Sequence, residues 1–456
     1  MPAIPDSLGQ GLGFRDDGWF LWLAAISPAT FQLPFPRWIA IAEGADKRER
    51  AQAGRRARWL TGLAGPSNNE AMGRQVFDQI VIGAGGMGSA AIYELARRGQ
   101  RVLGLEQFGI PHELGSSAGA TRIFRFAYFE HPSYVPLMRL SFARWQALQR
   151  DFGETLLTVT GGLDIGLPSG RVVSGAKAAC RAHGLTHEVL RASEVERRHP
   201  AWRLPPEFEA VYQPEAGFLP ADRAILAHVT LARKLGADVR ENEPVLGWKA
   251  TSDRVEVETE AGRYEAGSLV LAAGAWTSKL LGRFETLAIP QRQVVGWFET
   301  AGRQFAPESF PVFILDCPER GNFYGIPEQA DEGFKVGKFR HRRENVDPDS
   351  IDRRITPADK AVLTWLGRYL SSPMGPPVGF KTCMFVNSPD EHFIVDALPE
   401  HRNVVVAAGF SGHGYKFCSG IGEVLADLSM HGATAHDTHL FRLSRPALTS
   451  GMASAD

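Results

Sequence analysis

Residues Phe77 to Glu106, FDQIVIGAGGMGSAAIYELARRGQRVLGLE, read as a strand, a glycine turn, a helix and a second strand. Ile80, Val81 and Ile82 form the apolar run of a buried parallel strand, and Gly83-Ala84-Gly85-Gly86-Met87-Gly88 satisfies the G-x-G-x-x-G pattern of a dinucleotide-binding turn. Gly83 permits the tight turn, Gly85 lets the backbone approach a pyrophosphate, and Gly88 lets the helix pack closely on the strand. The helix N-terminus then presents free N–H groups and the positive end of its dipole to the phosphates. Ala90, Ala91, Ile92, Leu95 and Ala96 supply an apolar face, Arg97 and Arg98 crowd the last turn, and Gly99 caps it. Glu106 ends the second strand roughly 20 residues past the glycines, where a carboxylate accepts hydrogen bonds from ribose hydroxyls. An acid there disfavours a ribose 2′-phosphate, and so NADP, but suits NAD and FAD equally.

At 456 residues the chain is long enough for a substantial core and two or three domains. Its 50 basic and 51 acidic residues leave no net field for nucleic acid or an anionic membrane, which points to a small-molecule partner. Cys180, Cys317, Cys383 and Cys418 are widely spaced, without CxxC pairs or a His/Cys cluster. Neither a metal site nor a disulfide scaffold is expected, and the pattern suits a reducing cytoplasm. Before Gln75 there are two apolar patches, Trp19 to Ile26 and Phe35 to Ala42, then a charged run from Lys47 to Arg58. Neither patch reaches the ~20 apolar residues of a membrane span, and Arg15-Asp16-Asp17 is not the basic start of a signal peptide. Residues 1–74 are expected to be a poorly ordered extension from an early start codon, the nucleotide unit opening shortly after Met72. The alternative is a segment that binds a partner or touches a membrane.

Past Glu106, the loop GIPHELGSSAGATRIFRFAYFEHPSYVPL carries Arg122 and Arg125, which share a face if this segment is helical. Their apolar neighbours Ile123, Phe124, Phe126, Ala127 and Tyr128 suggest that the arginines enter an enclosed space and meet an anion there. The plainer reading is a solvated basic face. Leu137 to Leu148 and Ala221 to Leu235 read as amphipathic helices, and Thr158 to Leu167 as a strand pair joined at Gly161-Gly162. Arg254 to Thr259 belongs to a β-meander ahead of a buried strand that ends at Gly274-Ala275-Trp276, an arrangement more familiar in FAD-binding than in NAD-binding doubly wound folds. Strands at Gln293 to Phe298, Asn322 to Ile326 and Gly333 to Phe339 form a sheet-rich lobe. Asn403 to Gly409 is a further buried strand, followed by Phe410-Ser411-Gly412-His413-Gly414-Tyr415-Lys416 and a helix from Ser419 to Leu428. The expected fold class is α/β with an α+β second lobe. A discontinuous Rossmann-like FAD-binding domain (75–160, 218–288 and 378–446) holds an inserted substrate domain (161–217 and 289–377), and 447–456 is a tail.

In order along the chain, GAGGMG, ATRIFRFAY, EAGFL, LVLAAGAW, RQVVGWFE, FKVGK, CMF…PDEHFIVD and AAGFSGHGYKF resemble the monomeric sarcosine oxidase family, within the D-amino-acid-oxidase-like flavoproteins. The resemblance runs from about Phe77 to about Pro446. It implies an FAD enzyme, monomeric and cytoplasmic, that oxidises secondary amines of N-alkyl amino acids such as sarcosine. Oxygen would accept the electrons, giving an imine that hydrolyses and hydrogen peroxide. The alternative is an FAD-dependent amino acid dehydrogenase of the same fold with another electron acceptor.

The resemblance also implies residue roles. Arg125 and Lys416 would clamp the substrate carboxylate, Arg122 would lie over the flavin, Lys335 would sit on its other face to activate oxygen, and Tyr324 would stand near the substrate. Cys383, by itself a buried small hydrophobe, would tether the flavin as a thioether. The turn Gly412, His413, Gly414 would bring backbone to the flavin ring, and Ser116, Thr121, Val245, Ala273, Gly274, Trp276 and Met384 would complete the cofactor contacts. Two positions depart from the family pattern: Phe339 replaces an active-site histidine and Phe385 a tyrosine. Both remove a hydrogen-bonding group and enlarge the apolar wall, which favours a bulkier N-alkyl or cyclic substrate. His341, two residues beyond Phe339, is a candidate replacement if the strand continues.

Overall fold

The computed structural model describes residues 75–300, 302–329 and 332–449. The expected extension, 1–74, and the end of the tail, 450–456, lie outside the described residues. The strand Gln75–Ile82 pairs in parallel with Val102–Leu105 on one side and Arg263–Leu271 on the other. Ile80, Val81 and Ile82 are buried because both faces of this sheet are covered, as continuous apolar runs in parallel strands require. The helix Gly86–Arg97 packs beside Ala221–Lys234 and Cys418–His431 over one face. Val255–Thr259 and Val245–Ala250 extend the sheet antiparallel beyond Arg263–Leu271, and Val255 and Val257 join the segment around Phe284 in the core on the other face. Asp238–Arg240, His401–Ala408 and Ile394–Leu398 complete the sheet, so its strands come from three distant parts of the chain.

The second sheet has the order Pro377–Asn387, Ile289–Phe298, Gly333–Lys338, Gly321–Gln329, Val312–Cys317, Gly162–Gly166, Glu209–Gln213 and Glu188–Arg191. Pro377–Asn387, expected with the cofactor domain, pairs along its length with Ile289–Phe298. Its alternate side chains Met384 and Val386 pack into the first sheet's core, so this strand belongs to both lobes. A small third sheet joins Thr121–Phe124, Gly217–Pro220 and Thr158–Val159.

Two local readings are corrected. Thr158 to Leu167 is not a strand pair. Gly161, at φ 74°, turns the chain so that Thr158–Val159 pairs with Gly217–Phe218 while Gly162–Gly166 enters the second sheet. Arg122 is on a strand rather than a helix, with Arg125 just past its end, because the β-branched and aromatic run pairs with Gly217–Pro220. The tail begins in order: Pro446–Thr449 is a helical turn with Leu448 buried. No described helix is long and apolar enough to cross a membrane.

Candidate active site

The glycine turn has the shape a dinucleotide needs. Gly83 is at φ 91°, and a Cβ on Gly88 would collide with the Gly83 carbonyl, so both positions demand glycine. A Cβ on Gly86 would lie 2.6 Å from Cys418 Sγ, whereas at Gly85 the nearest atom is Ser117 Oγ at 3.6 Å, leaving the backbone there open to a ligand. The Gly86 N–H donates to Ser117 Oγ at 3.2 Å. Glu106 is buried at the end of its strand, Oε2 accepting from the Ala84 N–H at 2.9 Å and Oε1 from the Phe108 N–H at 3.0 Å. Burial raises its pKa, and those N–H donors act against the rise. The donor and acceptor set therefore fits the pyrophosphate and ribose of FAD.

The other cofactor candidates divide by position. Ala273 and Gly274 follow the strand end at Leu271, and the backbone ahead of them abuts Gly83. Trp276 packs edge-on against Phe108 and donates Nε1–H to Asp349. Val245 opens the outer meander strand, half-buried, and Met384 is fully buried in the core.

All five catalytic candidates, Arg122, Arg125, Tyr324, Lys335 and Lys416, line one cavity of about 590 Å³, together with Cys383, Gly412, His413, Phe339 and Phe385. Lys335 is 2% exposed and donates to the Gly119 carbonyl, the Thr121 carbonyl at 2.8 Å and Thr121 Oγ1 at 3.4 Å. Burial, then Arg122, pulls its pKa well down, while three acceptor oxygens meet its three donors. Arg122 binds the same loop, with Nη1 to the Thr121 carbonyl at 2.8 Å and Nη2 to the Ser116 carbonyl at 2.9 Å. Cys383 is 4% exposed; burial raises its thiol pKa, opposed by Arg122 and Lys335. Tyr324 lies opposite Gly337 in the sheet, and any side chain at 337 would strike its ring.

Arg125 has a partner that its sequence context did not reveal. Its Nη2 meets both oxygens of Glu130 at 2.7 and 2.8 Å, Nη1 donates to the Ala127 carbonyl at 2.8 Å, and the guanidinium lies 4.5 Å from the ring centres of Tyr128 and Phe129. Burial would raise the Glu130 carboxyl, but Arg125, His413 and Lys416 hold it below its ordinary value. Lys416 donates to the His413 carbonyl at 2.7 Å and is pulled to about 7 by burial and then by Arg125. His413 Nε2–H donates to the Glu391 carbonyl at 3.0 Å, which leaves Nδ1 to accept from Tyr128 OH at 2.5 Å. Behind this group Asp164, 1% exposed, accepts from Gln213 Nε2 at 3.0 Å, and burial raises it to about 7.

The two departures meet: the rings of Phe339 and Phe385 are 5.7 Å apart and form one wall. Gly412, at φ 77°, presses against the Phe385 ring, where a Cβ would collide. Gly412→Ala is expected to lower stability by about 1–3 kcal/mol in urea unfolding, from left-handed strain and displacement of that ring. His341 is excluded from the wall. The strand stops at Lys338 and Arg340 turns at φ 54°, which breaks the alternation and buries His341 against Asp359 at 3.1 Å. Sequence reasoning missed Glu130, Ser117 and Asp164, and also Tyr415, which lines the cavity with Arg122 5.6 Å over its ring. An acid five residues past a buried arginine was the available signal for Glu130.

Residues 78–428 match the family model described as FAD dependent oxidoreductase. The chain is 39% identical over 384 residues to the monomeric sarcosine oxidase of Bacillus sp. (strain B-0618), covering 82% of this chain and 98% of that protein. It is 32% identical to the N-methyl-L-tryptophan oxidase of Yersinia pestis (strain Pestoides F), covering 81% and 99%. Among solved structures it is similar to the open form of NikD, an amino acid oxidase of nikkomycin biosynthesis, with TM-score 0.69, 26% identity and coverage of 80% and 96%.

Proposed function

Because the chain belongs to the FAD-dependent oxidoreductase family, in the branch of the monomeric sarcosine and N-methyl amino acid oxidases, we propose that it oxidises the secondary amine of N-alkyl amino acids with oxygen, releasing hydrogen peroxide and an imine that hydrolyses. One observation carries the reading: Arg125 and Lys416, a pair of cations suited to a carboxylate, line the same cavity as Arg122, Lys335 and Cys383. A cofactor-only site has no need of that second anion clamp. FAD, when bound, supplies the two-electron acceptor for the hydride equivalent leaving the N–C–H carbon. Arg125 offers a planar fork to the substrate carboxylate and Lys416 a second charge. To engage it, the Arg125 guanidinium has to share or release Glu130, whose buried charge His413 and Lys416 also face. Lys335 holds positive charge where oxygen takes up electrons, and Arg122 favours negative charge in the ring system it covers. The amine enters deprotonated, so no side-chain base is required. We assign a thioether tether to Cys383 and a monomeric, cytoplasmic form to the chain; none of its four cysteines is disulfide-bonded, which supports the reducing compartment.

Acid precipitation of the purified protein tests the cofactor. Yellow colour retained in the pellet, on the peptide spanning Cys383, is the expected result, with oxygen uptake on N-methyl amino acids; colour in the supernatant overturns the tether, and no colour overturns the FAD oxidase reading of this chain.

The clamp is pH-sensitive in a defined direction. Lys416 is protonated below about 7 and loses its charge above it, so affinity for a carboxylate lacking an amine, such as butyrate, falls as pH rises. Asp164, also near 7, becomes anionic over the same range and acts in the same direction. The dissociation constant, read from the flavin spectrum, should rise by up to about tenfold per unit above pH 7. Lys416→Met should flatten that slope; an unchanged slope removes Lys416 from the clamp.

A further inference from the structure

The cavity carries a charge excess that the proposed chemistry leaves unused. Outside the clamp its lining includes Arg171, Arg320, Lys338, Arg340 and Arg343 against Asp316, Glu319 and Glu391. Glu391 is shared: one oxygen lies 2.7 Å from Arg340 Nη2 and the other 3.4 Å from Arg171 Nη1, so one carboxylate faces two guanidiniums. Arg340 Nε is buried without a hydrogen-bond partner. Arg320 and Arg343 are exposed, and neither forms an ion pair with a carboxylate among the described residues; Arg320 lies 5.7 Å over the Trp365 ring. Lys338 donates to the His341 carbonyl at 3.2 Å, and its charge is disfavoured by burial and then by Arg343 and Arg320, which puts these cations within one another's field.

Like charges gathered at a concave mouth repel one another and focus a positive potential into it, an arrangement relieved by an anionic ligand. The cationic turn starts directly after Phe339, so the apolar wall made with Phe385 leads to Arg340 and Arg343. We propose that the preferred substrate is an N-alkyl amino acid whose side chain ends in a second carboxylate. Its α-carboxylate occupies Arg125 and Lys416, its methylenes lie along Phe339 and Phe385, and its distal carboxylate meets Arg340, Arg343 and Arg320. The inference rests on the N-alkyl amino acid oxidase reading above and adds the substrate class.

The test compares N-methyl-L-glutamate with its neutral isostere N-methyl-L-glutamine on the holoenzyme, with sarcosine as reference. At low salt kcat/KM for the glutamate is expected to exceed that for the glutamine by about tenfold or more, and the ratio to shrink in 0.5 M salt. Arg320→Gln with Arg340→Asn and Arg343→Asn should bring the ratio close to one; asparagine suits 340 and 343 because both have positive φ, 54° and 58°. Because Arg340 also ties Glu391, the Arg320→Gln/Arg343→Asn pair is measured separately and should lower the ratio by itself. A ratio at or below one in the unmodified protein, or one that ignores salt and all these substitutions, overturns the inference. Flavin reduction by sarcosine with none by either test substrate also overturns it and leaves the oxidase reading intact. Failure of all three substrates to reduce the flavin removes the oxidase reading, and the inference with it.

Discussion

Lys335→Met should slow reoxidation of the substrate-reduced enzyme by oxygen by on the order of 10²–10³-fold, because a fixed cation aimed at developing negative charge is worth that much in a water-excluded site. The replacement is nearly isosteric, and Lys335 meets acceptors on one loop only, the carbonyls of Gly119 and Thr121 and the Thr121 hydroxyl. Anaerobic reduction by substrate should change by less than about tenfold, since carboxylate binding is assigned to other residues. Stopped-flow mixing separates the two half-reactions. Normal oxygen reactivity in the variant sinks the role given to Lys335. Equal slowing of both half-reactions points instead to a displaced Gly119–Thr121 loop, which Lys335 and Arg122 hold together.

Arg125→Gln should lower kcat/KM for an N-methyl amino acid by on the order of 10²–10³-fold, the loss expected when one partner of a desolvated, bidentate charge pair is removed. The same change leaves Glu130 buried without its counter-charge. About 3–5 kcal/mol of stability should go with it, so poor folding alone would mimic loss of function. Arg125→Gln/Glu130→Gln resolves the ambiguity. It removes the orphan charge and should recover much of the thermal stability, while kcat/KM stays low. Recovery of activity together with stability would show that Arg125 serves the fold and not the substrate. Lys416 faces the same group of charges, so its variant and Arg125→Gln are not expected to add.

How much of this was legible in the chain varies with the range of the interaction. The strand, turn and helix from Phe77 to Glu106 follow from contiguous residues: the β-branched run, the glycines at fixed offsets and the apolar helix face leave little choice, and the structure has the elements as read. The later helices and buried strands are similarly periodic. The failures lie where local pattern does not choose a partner. Thr158 to Leu167 has strand composition throughout, but whether its halves pair with each other depends on what else is available, and Gly217 and Val312 offered better partners. His341 would have faced the cavity had the strand run two residues further; the left-handed turn at Arg340 ended it.

The sequence by itself determined that this protein has a dinucleotide fold with an acid for the ribose, that its nucleotide lobe is assembled from separated segments, and which arginines, lysines and cysteine stand at motif positions. These properties rest on φ preference, burial period and fixed spacing, all short-range. Only the tertiary structure decided what those groups face: Glu130 across from Arg125, the Gly119–Thr121 loop under Lys335, the Phe385 ring against Gly412 and Phe339, and a mouth with more cations than acids. Each depends on which strands align and in what register, as when Tyr324 meets Gly337 and Gln293 meets Cys383. A charged or aromatic side chain carries no local signal of its partner, because the energy that fixes the pair is released only when distant segments have already packed together.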